Sequence, residues 1–206
     1  MKTITNITYP AFALFAFACF ALSPQARATC QHGCDTSNAN TFLGDDALIN
    51  NTTGFNNTAN GFQALLSNTT GSSNTAVGVQ ALLSNTTGTD NTATGVSVLI
   101  SNTEGIANTA DGVEALFSNT TGTSNTATGA SALRSNTTGS ENTATGWAAL
   151  ANNDGNDNTA IGNRAMELHN TGDNNTALGH NALNGNGNDN TAIGQMALFS
   201  SNGDNK

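Results

Sequence analysis

The pattern Asn-Thr-Ala-x-Gly-x-x-Ala-Leu recurs ten times between residues 40 and 199, and nothing else in the chain constrains the fold as tightly. Its leading Asn falls at Asn40, Asn57, Asn74, Asn91, Asn108, Asn125, Asn142, Asn158, Asn175 and Asn190. The spacing is 17 residues, except for one step of 16 into Asn158 and one of 15 into Asn190. The Asn, Thr and Gly of the pattern never vary. The third-place Ala yields once, to Phe42, the eighth-place Ala once, to Val98, and the ninth-place Leu only to Met166. Such identity among copies within one chain marks each place as a structural slot. Asn74, Thr75, Ala76, Gly78, Ala81 and Leu82 fill the slots of one copy, and Asn125, Thr126, Ala127, Gly129, Ala132 and Leu133 those of another. A short, strict period of this kind is the signature of a solenoid, in which each unit buries its apolar side only by stacking on the next.

The residue types predict what each part of the unit does. Thr-Ala-x is a short extended piece, and the Gly after it suits a bend at positive φ. The x-x-Ala-Leu piece reads as a second extended segment, with Leu as the one large apolar side chain of the unit. Asn-Thr-Thr-Gly-x-x, as at residues 85–90, is turn chemistry. The expected fold is therefore all-β: a parallel β-solenoid or β-roll of about ten coils, mostly of 17 residues with two short strands each. Stacked about 4.8 Å apart, the copies align into Ala, Leu and Asn ladders along a rod of roughly 45–50 Å. The short copies lose residues at 152–157 and 184–189, in turns, which leaves the strand pieces intact.

Ahead of the repeat, residues 1–28 have the form of a secretory signal peptide. Lys2 precedes an unbroken apolar run of twelve residues, Ala11 to Leu22, and Ala26-Arg27-Ala28 has the small-x-small pattern of a cleavage site. Twelve apolar residues are too few to span a bilayer, and no later stretch approaches that length, so no membrane span is expected after cleavage. Residues 29–39 form an N-terminal cap segment, 40–199 the repeat domain and 200–206 a tail. Cys30 and Cys34 in the cap segment are a disulfide candidate, since exported proteins meet an oxidising environment. Pairing between chains, free thiols, or a metal at Cys30, His32 and Cys34 are the alternatives.

Composition narrows the function classes. Only 9% of residues are charged, against roughly a quarter in ordinary globular chains, while Asn and Thr number 33 and 32. Removing residues 1–28 leaves three basic residues (Arg134, Arg164 and Lys206) against 14 acidic ones, a net charge of −11. This speaks against nucleic acid as a partner, which needs basic patches. One Trp and one Tyr argue against an enzyme domain with a thick aromatic core.

Asn-Thr-Ala-Ile-Gly-x-x-Ala, at Asn158 to Ala165 and again at Asn190 to Ala197, resembles the Ser-Val-Ala-Ile-Gly-x-x-Ala repeat of YadA-like heads. Those heads belong to trimeric autotransporter adhesins. The resemblance covers residues 40–199 and implies a left-handed parallel β-roll, a homotrimer of side-by-side chains, and a surface ligand in a host or the environment. The chain departs from the family in its longer unit, in Thr for Val, and in an often polar fourth place (Asn60, Thr94, Asp111, Thr128, Thr145). Neither a heptad stalk nor C-terminal barrel strands follow the tenth copy, so a head without stalk or membrane anchor is expected, secreted or at the cell surface of a bacterium.

No catalytic constellation stands out, and no enzyme is expected. His169 and His180 occupy different places of the unit, and they and His32, ahead of the repeat, read as solvent-facing. The turns around Asp154, Asp157, Asp173 and Asp189 are oxygen-rich but lack the spacing of known calcium loops; solvated turns are expected, with calcium as the alternative and no other cofactor. The Thr ladder raises a competing function, a monomeric solenoid that binds ice or carbohydrate. Only three copies carry Thr-x-Thr, at Thr92/Thr94, Thr126/Thr128 and Thr143/Thr145.

Overall fold

A computed structural model describes residues 32–168, 171–200 and 203–204. Residues 1–28, where a signal peptide is expected, Cys30 and His169 lie outside the described residues. The Thr-Ala-x pieces form strands. A short β1 (His32–Asp35) leads into β2 (Asn40–Leu43), β3 (Thr58–Asn60), β4 (Thr75–Val77), β5 (Thr92–Thr94) and β6 (Thr109–Asp111). Then follow β7 (Thr126–Thr128), β8 (Thr143–Thr145), β9 (Thr159–Ile161), β10 (Thr176–Leu178) and β11 (Thr191–Ile193). All eleven pair in chain order in one sheet. From β2 to β11 every pairing is parallel and in repeat register, as in Thr109↔Thr126 and Ala110↔Ala127. The result is an all-β parallel solenoid of roughly nine stacked coils, with no helix among the described residues.

The first coil is closed by β1, which runs antiparallel to β2 with Cys34 opposite Thr41. The connecting turn is local chemistry. The Asp35 carboxylate accepts the Ser37 hydroxyl and the backbone N–H groups of Ser37 at 3.0 Å and Asn38 at 3.3 Å. The Ser37 hydroxyl bond and these N–H groups hold the Asp35 carboxyl below its ordinary range.

Alternation within each three-residue strand buries its central Ala and leaves both neighbours outward. Ala76, Ala81, Leu82, Ala127, Ala132 and Leu133 are fully buried. So are Asn74 and Asn125. Two asparagine columns run through the interior. In the first-place column, Asn125 Oδ1 accepts the backbone N–H of Asn142 at 3.0 Å and its Nδ2 at 3.2 Å. In the twelfth-place column, Asn102 Nδ2 donates to Asn85 Oδ1 at 2.8 Å. The two columns meet inside each coil at a glycine carbonyl: Asn74 and Asn85 both donate to Gly88 O, at 2.8 and 3.0 Å. Buried amides are thus satisfied by one another and by the backbone, as burial requires.

Among the described residues the expected second strand of each coil is absent. After the fifth-place Gly the chain turns continuously, with the seventh and ninth places left-handed: Gln63 and Leu65 have φ of 57° and 53°, and Gln80 and Leu82 58° and 53°. Coil-to-coil bonding survives, because Gln63 N–H donates back to Asp45 O and Leu65 N–H forward to Ala81 O. Left-handed backbone is tolerable for side chains unbranched at Cβ and poor for β-branched ones. That explains why the ninth place holds Leu or Met and no Ile or Val.

The fifth-place glycines answer to a different demand. Gly112 has φ of 134°, and a Cβ there would lie 2.7 Å from the Gly129 carbonyl oxygen of the next coil. Stacking at this spacing leaves no room for a side chain.

Where the unit shortens to 16 residues, the strands keep their register, with Thr143 opposite Thr159. The loss is absorbed in the turn. In regular coils three backbone N–H groups converge on one carbonyl of the next coil, as Thr69, Thr70 and Gly71 do on Thr86 O. In the short coil the Asp154 carboxylate replaces that carbonyl. Its Oδ1 accepts N–H from Thr137, Thr138 and Gly139 at 2.9, 2.8 and 3.2 Å. The twelfth-place column breaks at the same step, leaving the buried Asn136 Oδ1 without a hydrogen-bond partner.

Candidate binding surface

The outward face of the sheet carries two columns. The second-place threonines, Thr41 through Thr191, stack in unbroken register over all ten parallel strands. Thr126 is exposed and Thr75 half-buried, and the rest of the column lies in the same range. Their hydroxyls have no hydrogen-bond partner among the described residues. The thirteenth-place turn threonines behave differently, since the Thr69, Thr86 and Thr120 hydroxyls donate to the next coil's Thr carbonyl at 3.0 Å. Among the described residues the strand column is thus an unbroken row of threonines, ten rungs long, whose hydroxyls remain available to solvent or a ligand.

Beside it the fourth-place column is irregular. It runs from Leu43 through Asn60, Val77, Thr94, Asp111, Thr128 and Thr145 to Ile161, Leu178 and Ile193. The Thr-x-Thr rungs on β5, β7 and β8 are therefore separated by Asp111 on β6. A hydroxyl lattice two columns wide exists only in the middle coils, and there only in patches.

The acidic turns are occupied by the fold itself. Partial burial pushes the Asp154 carboxyl up, but the N–H groups of Thr138, Thr137 and Gly139 and the Thr137 hydroxyl outweigh it and hold the group below its usual range. A relay of side-chain acceptors continues down the same edge. Ser140 N–H donates to Asn156 Oδ1 at 2.9 Å, Asn156 N–H to Asp173 Oδ1 at 2.7 Å, and Asp173 N–H to Asn188 Oδ1 at 2.9 Å. Asn188 N–H then donates to Asp204 Oδ1 at 2.7 Å. Carboxylates alternate with carboxamides along this row, which keeps like charges two coils apart. Among the described residues no group of three or more His, Cys, Asp or Glu side chains is placed to hold a metal ion.

Of the remaining residues singled out in the sequence, Cys34 is exposed on β1, while its candidate partner Cys30 lies outside the described residues. His180 is exposed at a sixth place, beside Asn181. Among the described residues no helix is long and apolar enough to cross a membrane.

A second surface escaped the sequence reading. The sixth, seventh and tenth places share one face, because side chains from all three touch. The Arg134 Nε donates to Glu114 Oε2 at 2.8 Å, and its guanidinium lies 5.2 Å from the Phe117 ring centre. Arg164 donates to Glu167 at 2.6 Å and stacks 5.5 Å from the Trp147 ring. The Glu167 bond raises the Arg164 pKa above its ordinary value.

No protein-family model matches the chain, no curated protein matches it, and no solved structure matches it.

Proposed function

We propose that the chain is an exported, non-enzymatic, adhesin-like scaffold of the YadA-head type, assembling side by side as a homotrimer and presenting its sheet face to an external surface. The observation that carries this reading is the outward Thr column on β2–β11, ten rungs in strict register with hydroxyls that the fold does not consume. A rigid, repetitive row suits avid, low-specificity contact, in which many weak rungs act together. The thin Ala-lined coil adds a reason for assembly, since a core of this kind removes little apolar area from water on its own.

The test combines location and binding. Expressed in a bacterial host, the full chain should be recovered outside the cytoplasm with residues 1–28 removed. Beads coated with it should adhere to cell or polymer surfaces, and Thr109→Arg with Thr126→Arg should cut their retention several-fold. Cytoplasmic retention, or retention unchanged by the double substitution, overturns the proposal.

The same column supports a second reading, a solenoid that binds ice or carbohydrate through ordered hydroxyls. Thermal hysteresis that is lost in Thr126→Tyr would favour ice binding. Its absence in the unsubstituted protein removes that reading.

A further inference from the structure

The strongest unassigned feature lies on the sixth-, seventh- and tenth-place face. Phe62, Val79, Val96, Val113, Ala130 and Trp147 occupy the sixth place of six consecutive coils. The large members of this stripe are 43–52% exposed. Six rungs at about 4.8 Å make a stripe roughly 25–30 Å long, the edge of an interface burying about 800 Å² per partner. Contiguous apolar surface of this extent marks an interaction site.

Charge distinguishes this face from the rest of the chain. Among the described residues Arg134 and Arg164 are the only Lys or Arg side chains, and both lie here. Each is paired with a glutamate of the same face, Glu114 or Glu167. The stripe is bounded at one end by Asp45 and Asp46 and at the other by Asn163 and Arg164. From Phe62 to Glu167 the face therefore carries an apolar sixth-place stripe beside a polar seventh-place row and has no net charge, on a chain whose formal charge is −9. Two copies meeting along the acidic turns, around Asp154, Asp173 and Asp204, would bring excess negative charge together; here they do not. The repeat itself supplies the shape match, because a second copy carries the same rung spacing and can pack side chain between side chains over every coil. A globular partner has no such period.

We infer that this stripe is the seam through which the chain associates with a second copy of itself, side by side. The inference rests on the reading of the chain as a self-assembling scaffold and names the face that does it. Trp147 is the single tryptophan of the protein, so its emission reports on the seam directly.

The experiment is sedimentation or light scattering of the purified protein at about 1–100 µM, at and above the weak end of affinities for interfaces of this size, with tryptophan emission recorded in parallel. The expected result is a mass of more than one chain and a blue-shifted Trp147 emission at high concentration. Val96→Asp with Val113→Asp should raise the concentration for half-association at least about tenfold, since burying unpaired charge is costly. Both residues are exposed, so the circular dichroism of this variant should stay unchanged, and its melting temperature should match the unsubstituted protein's at concentrations where both are single chains. Thr92→Asp with Thr109→Asp, on the sheet face, should leave association unchanged.

A protein that stays a single chain at 100 µM overturns both the seam and the assembly reading. One that assembles equally well with the Val substitutions, and dissociates with the Thr substitutions, overturns the seam while assembly stands. A single chain whose Trp147 emission shifts only on adding phosphatidylcholine vesicles gives the face to lipid and also overturns the inference.

Discussion

Asn57 and Asn68 both donate their Nδ2–H groups to the carbonyl oxygen of Gly71, each at 2.9 Å, so two columns on different sides of the coil share one acceptor. The sharing recurs at Gly88, Gly105, Gly122, Gly139 and Gly155. It ties the start of each strand to the turn that ends the coil. It also makes the buried asparagines interdependent, since removing one leaves neighbours without partners.

Asn102→Ala should destabilise the protein by about 2–4 kcal/mol, because Asn85 Oδ1, Asn119 Nδ2 and Gly105 O all lose a bond while buried. Asn153→Ala should cost less, since the column is already broken between Asn136 and Asn153. Chemical denaturation of the two variants checks the order; equal losses would contradict the column assignment.

Leu116 is fully buried at φ of 51°. Leu116→Met should be nearly neutral, as Met166 already fills the same place. Leu116→Ile, of the same volume, should cost about 1–2 kcal/mol more than Met because its branched Cβ resists left-handed backbone. Leu116→Asp should unfold the surrounding coils by burying an unpaired charge. Melting temperatures of the three variants separate backbone strain from burial.

Gly112→Ala should cost about 3 kcal/mol or more, combining the positive φ with a Cβ driven against the Gly129 carbonyl. Gly194→Ala should cost less, for a Cβ there meets nothing within 4 Å and only the φ of 121° is strained. Thermal melts of the pair measure the coil-to-coil contact alone.

Asp154 gives the fold a pH dependence with a definite sign. Its folded carboxyl titrates below the ordinary value, so its contribution is present above about pH 4, where the unfolded group is ionised, and is lost as pH falls through the lower folded pKa. The side chain is exposed, which limits the effect to about 1 kcal/mol or less. Asp154→Asn should flatten the fall in melting temperature between pH 5 and pH 2. An unchanged profile would show that the carboxylate does not hold the turn of the short coil.

The repeat made most of this architecture legible. Asn125, Ala127, Ala132 and Leu133 recur at fixed intervals because each must stack on its counterpart, and the placing of the short copies' lost residues in turns follows from the same logic. The second strand was misread because x-x-Ala-Leu has apolar alternation, whereas left-handed φ at Gln63 and Leu65 is a backbone property that hydropathy does not encode. A signal did exist: no β-branched residue stands at the seventh or ninth place in any copy, although Val79 and Ile100 show that the sixth and tenth places accept them. The neutral stripe was invisible for another reason. The closeness of Glu114 to Arg134, and of Arg164 to Trp147, is set by the coil and not by adjacency in the chain.

The asparagine columns also have a direction. Backbone bonds between coils run both ways, as the opposite donations of Gln63 and Leu65 show. The side-chain amides do not: Asn85 donates to Asn68, Asn102 to Asn85 and Asn119 to Asn102, always toward the N-terminal neighbour. Along each unbroken run their dipoles therefore add instead of cancelling, and the first-place column keeps the same sense up to Asn190, with hydrogen-bond donors facing the capped coil and acceptors facing β11. Growth of such a column is polarised, since a coil laid against the β11 end must arrive with its donors first.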